Sequence, residues 1–413
     1  MSAPDPARGI APRHLTRRAA LGWGGRAFVG AVAAPGALAA SGCAARNAPA
    51  VAPTENAPRL APVDVAWNRI IRRVVGLRPF RPAGFVLRAE RLGEQIVVHN
   101  YGHGGGGITL SWGTAELAVR EAEAAAAGQE RRAAVLGCGV VGLATARLLQ
   151  RRGWAVTIYA RDLPPRTTSN VAGGQWTPSS VFDRGAATPA FVEQFARASR
   201  IAYRHFQDFA GAGYGVRWID NYYLADEPGS SWLVDLLPDV YASSADLQPH
   251  EHPFAARAAN RVQTMLIEPA IYLNALLRDF RIAGGTVVVG ELRDRRQVAE
   301  RVPERVVVNC TGLGAAALFG DGQLVPVKGQ LTILFPQPEV DYIVLQGGLY
   351  MIPRSDGILL GGTYERGDGS PDVDTEAERR IVEGHRRLFA AMRASPGGGE
   401  AGGSRRAGSW RSH

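Results

Sequence analysis

The 413-residue sequence contains only three cysteines, Cys43, Cys138 and Cys310. None stands at metal-ligand spacing, and three thiols make no disulfide framework, so a zinc module and a disulfide-stapled scaffold are both excluded. Cys138 falls inside a glycine-rich turn and Cys310 at the end of an apolar strand. Those are places for small buried hydrophobes and not for nucleophiles. No apolar run makes a convincing membrane span: the stretch from Ala19 to Ala40 is interrupted by Gly22, Gly24, Gly25, Gly30 and Pro35. There is also no basic patch interleaved with aromatics, which excludes nucleic acid as a partner. The net charge of +9 gathers at the ends, in Arg8, Arg13, Arg17, Arg18 and Arg26 and in Arg405, Arg406 and Arg411. What remains is an ordinary globular composition, 46% apolar, with the length of two or three domains.

The N-terminus carries a targeting pattern. Thr16-Arg17-Arg18 followed by a mildly apolar Ala/Gly run resembles a twin-arginine export signal. Ser41-Gly42-Cys43 resembles a lipoprotein cleavage site with Cys43 as the acylated residue, although Ala40 stands where leucine is usual. The expectation is export by the twin-arginine machinery to the cell envelope or beyond, with membrane contact only through a lipid on Cys43. Residues 44–63 are rich in Ala, Pro and Asn and read as a flexible tether. Residues 395–413 are Gly/Ser/Arg-rich and read as a disordered tail.

Between these ends, Ala133-Ala134-Val135-Leu136 is an apolar strand running into Gly137-Cys138-Gly139-Val140-Val141-Gly142. A helix from Leu143 to Arg152 and a strand Ala155–Tyr159 complete a βαβ unit, the context that a dinucleotide fingerprint requires. In such a unit Gly137 permits the tight turn, Gly139 lets the backbone approach the pyrophosphate, and Gly142 lets helix and strand pack closely. The amides of Val140 and Val141 open the helix toward the negative charge. The acidic residue usual at the end of the second strand is missing. Ala160 occupies its place, so ribose contacts would fall to Arg161 and Asp162. Phe85–Glu90 and Gln95–His99 read as short strands. Ala115–Ala127 reads as a helix capped by Thr114, and Phe191–Ala210, Pro269–Ile282 and Thr375–Met392 as further helices. Leu331–Phe335, Gly348–Ile352 and Ile358–Gly362 read as strands of a second, more antiparallel sheet. Val65–Val75 has no clean period, and Gly76–Pro82 is a rigid, proline-marked segment.

Several of these segments resemble one flavoenzyme family, the D-amino acid oxidases. Tyr159-Ala160-Arg161-Asp162-Leu163-Pro164 is similar to the stretch after the second strand in fungal members. Thr167-Thr168-Ser169-Asn170-Val171-Ala172-Gly173-Gly174-Gln175-Trp176 is similar to the family's second flavin loop. Asn309-Cys310-Thr311-Gly312 and Lys328-Gly329-Gln330 match two more segments, and Val98-His99-Asn100-Tyr101-Gly102-His103-Gly104-Gly105-Gly106-Gly107-Ile108-Thr109 matches another. The resemblance implies an α/β fold: a Rossmann-like FAD-binding domain with an antiparallel-sheet substrate domain. It implies a catalytic unit over 64–394, with FAD-binding parts at about 76–180 and 290–325 and substrate-domain parts at about 181–289 and 326–374. It also implies FAD contacts from Gly137, Gly139, Val140, Val141, Gly142, Arg161, Asp162, Thr167, Thr168, Ser169, Gly173, Gly174, Gln175 and Thr311. The amides of Gly104, Gly105, Gly106, Gly107, Ile108 and Thr109 would support charge on the reduced ring. Gly106 replaces a bulkier family residue. His99 and His103 suggest a metal pair in isolation, but the resemblance gives them loop-anchoring roles, and no metal is expected.

The family holds a substrate carboxylate with an arginine and a tyrosine, and the planar guanidinium suits that group. Gly76-Leu77-Arg78-Pro79 and Tyr350-Met351-Ile352-Pro353-Arg354 match the two segments, making Arg78 and Tyr350 the catalytic candidates. A second family tyrosine on a mobile loop is missing, since the chain reads Gln346-Gly347-Gly348-Leu349 there. The implied reaction is oxidative deamination of a D-amino acid to the 2-oxo acid, with ammonia and hydrogen peroxide formed and dioxygen as acceptor. The alternatives are an envelope dehydrogenase with another acceptor and a flavin-binding protein without turnover. The order of segments is unusual. In the family the run at 98–109 closes the chain and the fingerprint opens it, whereas here the run comes first. The two parts are complementary and not duplicated, as in a circular permutant joined at Gly128–Arg132. That reading expects Arg78 and Tyr350 to meet, and the glycine run to lie near the Gly137 turn.

Overall fold

The computed structural model describes residues 58–392 except 127–129, 228 and 230. The export signal, Cys43, the first part of the tether and the C-terminal tail lie outside the described residues. No helix among the described residues is long and apolar enough to cross a membrane.

Two sheets organise the described residues. The smaller has the order β2 (Val86–Leu92), β3 (Gln95–Tyr101), β10 (Val306–Asn309), β4 (Arg132–Leu136), β5 (Ala155–Ala160), β9 (Thr286–Val289). All its pairings are parallel except β2 with β3. β3 and β10 are buried at every residue. Burial at every position marks strands covered on both faces. One cover is α1 (Gly107–Ala125), which packs against α2 (Val140–Arg151) and α4 (Pro189–Gln207). α6 (Pro269–Ile282) packs on α2 in turn. The other face is closed by α7 (Arg295–Arg301) and α8 (Gly314–Phe319), whose Val298 and Phe319 pack on Val97, Ala134 and Val307.

The larger sheet has the order β1 (Ile70–Phe80), β11 (Val325–Leu334), β14 (Gly357–Gly361), β13 (Leu349–Arg354), β12 (Tyr342–Gln346), β6 (Val216–Ala225), β8 (Ala258–Ile267), β7 (Ala245–Leu247). β15 (Glu365–Arg366) adds to β11. The expected antiparallel sheet is present with one exception, the parallel pair β12 and β6. α9 (Thr375–Ala390) lies on its outer face and adds Ile381, Val382 and Phe389 to a core with Tyr222, Tyr342 and Leu360. Short α3 (Thr168–Val171) and α5 (Trp232–Leu236) sit in connecting segments.

Four expectations need correction. The segment 65–82 contains the 11-residue strand β1, which belongs to the larger sheet and not to the FAD-binding part. Pro79 fits because β1 is an edge strand, where a missing N–H breaks no ladder. Conversely, residues 286–289 belong to the smaller sheet. Helix α1 starts at Gly107, eight residues before Ala115, so Thr114 is an interior residue and not a cap. Glycine is a poor helix former, but packing overrides propensity here: a Cβ on Gly113 would overlap the Ala198 carbonyl of α4.

Candidate active site

The fingerprint turn is built by backbone meeting backbone. Gly137 has φ 103°, its N–H donates to Tyr159 O at 2.8 Å, and a Cβ there would lie 2.6 Å from Cys310 O. A Cβ on Gly142 would overlap the Gly137 carbonyl oxygen. The turn is thus clamped between the strand ends of β5 and β10. α2 starts directly after it, with Gly139 at the cap position and no side-chain cap. Cys138 and Cys310 are buried, and burial pushes both thiols up to about 12. They are inert fillers.

The second predicted loop reaches this turn. Ser169 Oγ accepts from Val140 N–H at 3.1 Å, and a Cβ on Gly139 would lie 3.2 Å from the same oxygen. Thr167 Oγ1 donates to Asn170 within the loop at 2.8 Å, and Thr168 is exposed. The loop then crosses the larger sheet. Val171 sits 3.0 Å from a Cβ placed on Gly76, and Ile352 sits 2.6 Å from one placed on Gly173. Gly174, at φ 92°, abuts the Ile267 carbonyl. Gln175 Nε2 donates to the Tyr223 hydroxyl at 3.3 Å. Arg161 and Asp162 lie beyond β5 and pair with each other at 2.7 Å, while Arg161 also lies 3.8 Å from Glu291. Thr311, just past β10, is held by Asn309 Oδ1, to which its hydroxyl donates at 2.7 Å.

The glycine run leaves β3 at the level where the fingerprint leaves β4. His99 and Leu136 both pair with Asn309 across β10, so the two motifs start from the same end of the sheet, two strands or about 10 Å apart. Gly104 rests on Phe80 and Ser180, and Gly106 on Val181. Two of the amides of 104–109 are engaged within the protein. Gly105 N–H donates to Ser180 O at 2.9 Å and Gly106 N–H to His103 O at 3.0 Å. A 3-10 turn, Gly104–Gly106, runs directly into the first turn of α1 at Gly107. The Thr109 side chain donates to Thr177 O at 3.0 Å. His99 and His103 are anchors on separate partners. His99 Nδ1 meets Asn309 Nδ2 at 3.1 Å, and its Nε2 lies 3.4 Å from Glu90. His103 Nε2 meets Thr114 Oγ1 at 3.0 Å, and burial pushes its pKa down to about 3.

Arg78 and Tyr350, 272 residues apart, meet: Arg78 NH2 lies 3.5 Å from the Tyr350 hydroxyl. Arg78 arrives on edge strand β1, opposite Val327, and its NH1 donates to Lys328 O at 3.3 Å. Tyr350 stands on β13. Burial raises its pKa and Arg78 pulls it back. Two glycines unnoticed as site residues in the sequence make the arrangement possible. A Cβ on Gly329 would overlap the guanidinium, and one on Gly361 would overlap the Tyr350 ring. Tyr364 was also unforeseen. It is exposed, and Arg78 Cζ lies 5.7 Å over its ring. Gly361-Gly362 carries a visible signal for the close approach, but nothing in the sequence assigns Tyr364. A separate cavity of about 190 Å³, lined by Arg81, Tyr101 and Asp321 among others, contains none of these groups.

The arrangement fits a dinucleotide. A glycine turn opens onto a 12-residue helix whose N-cap, Gly139, has no side chain, and a hydroxyl-bearing loop bonds the helix's first amide. Comparison with known proteins agrees. A family model described as DAO, FAD dependent oxidoreductase, matches residues 132–409. The chain belongs to this family. It is an enzyme of the D-amino acid oxidase type, its cofactor is FAD, and its reaction class is amino acid oxidation. The D-amino-acid oxidase of Rubrobacter xylanophilus is 32% identical over 262 residues, covering 61% of this chain and 75% of the relative. Human D-aspartate oxidase is 30% identical over 259 residues, covering 61% and 74%. The solved glycine oxidase of Geobacillus kaustophilus is 20% identical with a TM-score of 0.45, covering 64% of this chain and 81% of that one.

Proposed function

We propose that this DAO-family chain is a circularly permuted D-amino acid oxidase exported by the twin-arginine route. The observation that carries the reading is the meeting of Arg78 and Tyr350. The relatives named D-amino-acid oxidase support the substrate class. The topology supports the permutation: β1, β2, β3 and α1 all precede the fingerprint, yet they take places in both sheets, and the family match starts at Arg132, the first residue of β4. Chain termini that lie close together tolerate such a join.

In this reading Arg78 and the Tyr350 hydroxyl bind the substrate carboxylate, the guanidinium supplying charge and the hydroxyl an O–H donor. Gly329 and Gly361 let both side chains lie flat against the sheet. Together they fix the Cα over the loop at Val171–Gln175, so that positioning accounts for most of the protein's share of catalysis. Bound FAD supplies the two-electron acceptor chemistry. The first-turn amides of α1 and α2 contribute fixed positive ends of helix dipoles.

Anaerobic mixing of the purified yellow protein with a panel of D- and L-amino acids tests the proposal. Bleaching by D-amino acids alone is the expected result, and bleaching by L-amino acids alone overturns it. Admission of air should then yield hydrogen peroxide; recovery of the yellow colour only with an added quinone identifies a dehydrogenase. Arg78→Ala should lose bleaching by about a hundredfold or more in kcat/KM while keeping its flavin, because truncating one partner of a buried charged contact costs about 2–5 kcal/mol.

A further inference from the structure

The clamp leaves open what lies along the substrate side chain. Strand register answers this, because paired residues share a face of the sheet. Tyr350 pairs with Leu345 on β12, and Leu345 pairs with Tyr223 on β6. These three residues form one row on the face that also carries Ile219, Ile343 and Ile352. Tyr350, Leu345 and Tyr223 are each half-buried, as are Val171 and Gln175 of the loop crossing above them. Tyr223 stands two strand spacings from Tyr350, about 10 Å. After a hydrogen bond at each end, that span holds a bridge of four or five atoms.

The far end of this row is polar where the middle is apolar. The Tyr223 hydroxyl accepts from Gln175 Nε2 at 3.3 Å. Thr177 Oγ1 lies 3.2 Å from the Tyr241 hydroxyl beside it. In the next row of β6, Asn221 is fully buried, and neither its Nδ2 nor its Oδ1 has a well-formed hydrogen bond. Asn221 reaches the Tyr223 hydroxyl but its amide is left with unfilled donor and acceptor capacity, and a buried amide short of partners favours a ligand that fills it. Burial raises the Tyr223 and Tyr241 hydroxyls, so both stay neutral at working pH. No cation is among the groups that hydrogen-bond Tyr223.

Resting on the reading of Arg78 and Tyr350 as the carboxylate clamp, we propose that Tyr223, Gln175 and Asn221 form the far wall of the side-chain pocket and select D-amino acids ending in a carboxamide. A carboxamide both donates and accepts, as these groups require. An aliphatic side chain of the same shape leaves them unpaired. A carboxylate is buried against neutral groups without a counter-charge, which is costly.

D-asparagine, D-leucine and D-aspartate are near-isosteres that differ only in this property. The flavin-loaded protein should oxidise D-asparagine with a kcat/KM at least about tenfold above the other two, since hydrogen-bonding sites discriminate strongly against analogues lacking the group. Thermal shift with their deamino counterparts reads binding without turnover: succinamate should raise the Tm more than 4-methylpentanoate or succinate does. Tyr223→Phe should reduce the D-asparagine preference about tenfold, and Asn221→Leu should reduce it independently if the first variant fails to fold. Equal or better use of D-leucine overturns the proposal while leaving the clamp intact, and so does better use of D-aspartate. If no D-amino acid reduces the flavin and none of the three carboxylates shifts the Tm, the clamp itself is wrong.

Discussion

The two sheets use glycine for opposite purposes. In the smaller sheet, glycines bring main chain against main chain: Gly142 lies on the Gly137 carbonyl, and Gly137 lies on Cys310. In the larger sheet, glycines clear a floor for side chains: Gly329 lies beneath Arg78, and Gly361 beneath Tyr350. The first use fixes a shape that the cofactor phosphates need and that no rotamer change can repair. The second positions two flexible groups that can be displaced without disturbing the fold. Cofactor binding should therefore be brittle toward substitution in this protein, and substrate binding adjustable.

The strongest test of that contrast is Gly142→Ala. The added methyl meets a carbonyl held in a turn, so the protein should be isolated without flavin or not in soluble form; overpacking costs about 1–3 kcal/mol, and more where backbone must move. A normal flavin content in this variant would break the contrast. Gly329→Ala and Gly361→Ala should behave differently. Each should keep full flavin content and a Tm within a few degrees of the parent, yet lose about tenfold in kcat/KM for the best D-amino acid as Arg78 or Tyr350 shifts. Loss of flavin in either would show that the two sites are not separable.

The smallest effect concerns pH. Burial holds the folded-state pKa of His103 at about 3, below the 6.5 of a free histidine. Below pH 6.5 the unfolded chain takes up a proton that the folded chain refuses. Stability is therefore complete above 6.5 and falls as pH drops from 6.5 toward 3, by about 1.4 kcal/mol per pH unit. His99, His205 and His385, also lowered by burial, act in the same direction. A His103→Gln variant, whose amide can still reach Thr114, should show a shallower decline of Tm between pH 6.5 and 5 than the parent. Equal slopes would remove His103 from this account.

Much of the smaller sheet was legible in the sequence, because its central strands β4 and β10 are short, mostly apolar runs and its turn chemistry is local. Pro269–Ile282 is read with its observed limits and Ala155–Tyr159 within one residue of them. β1 was not legible. It alternates poorly because it is half-buried and edge-placed, and Pro79 reads as a break until its neighbour, Pro326 of β11, is known. The start of α1 was hidden by four glycines that look like a loop and in fact pack against Phe80, Ser180 and Val181. Arg78 and Tyr350 were legible as a pair only through resemblance. What places them together is the ten-residue register of β1 on β11, a long-range property that no local pattern encodes. Gly329 depends on that register as well, and Gly361 on the pairing of β13 with β14.

The pairing of β1 with β11 has a consequence for synthesis. Arg78 leaves the ribosome about 250 residues before the strand whose carbonyl it binds. At about 5–20 residues per second, β1 waits roughly 10–50 s with its edge unmatched. An open edge of this kind is an aggregation risk. Slower translation through residues 80–325 should lower the yield of soluble protein, and early binding of β1 by a chaperone should restore it.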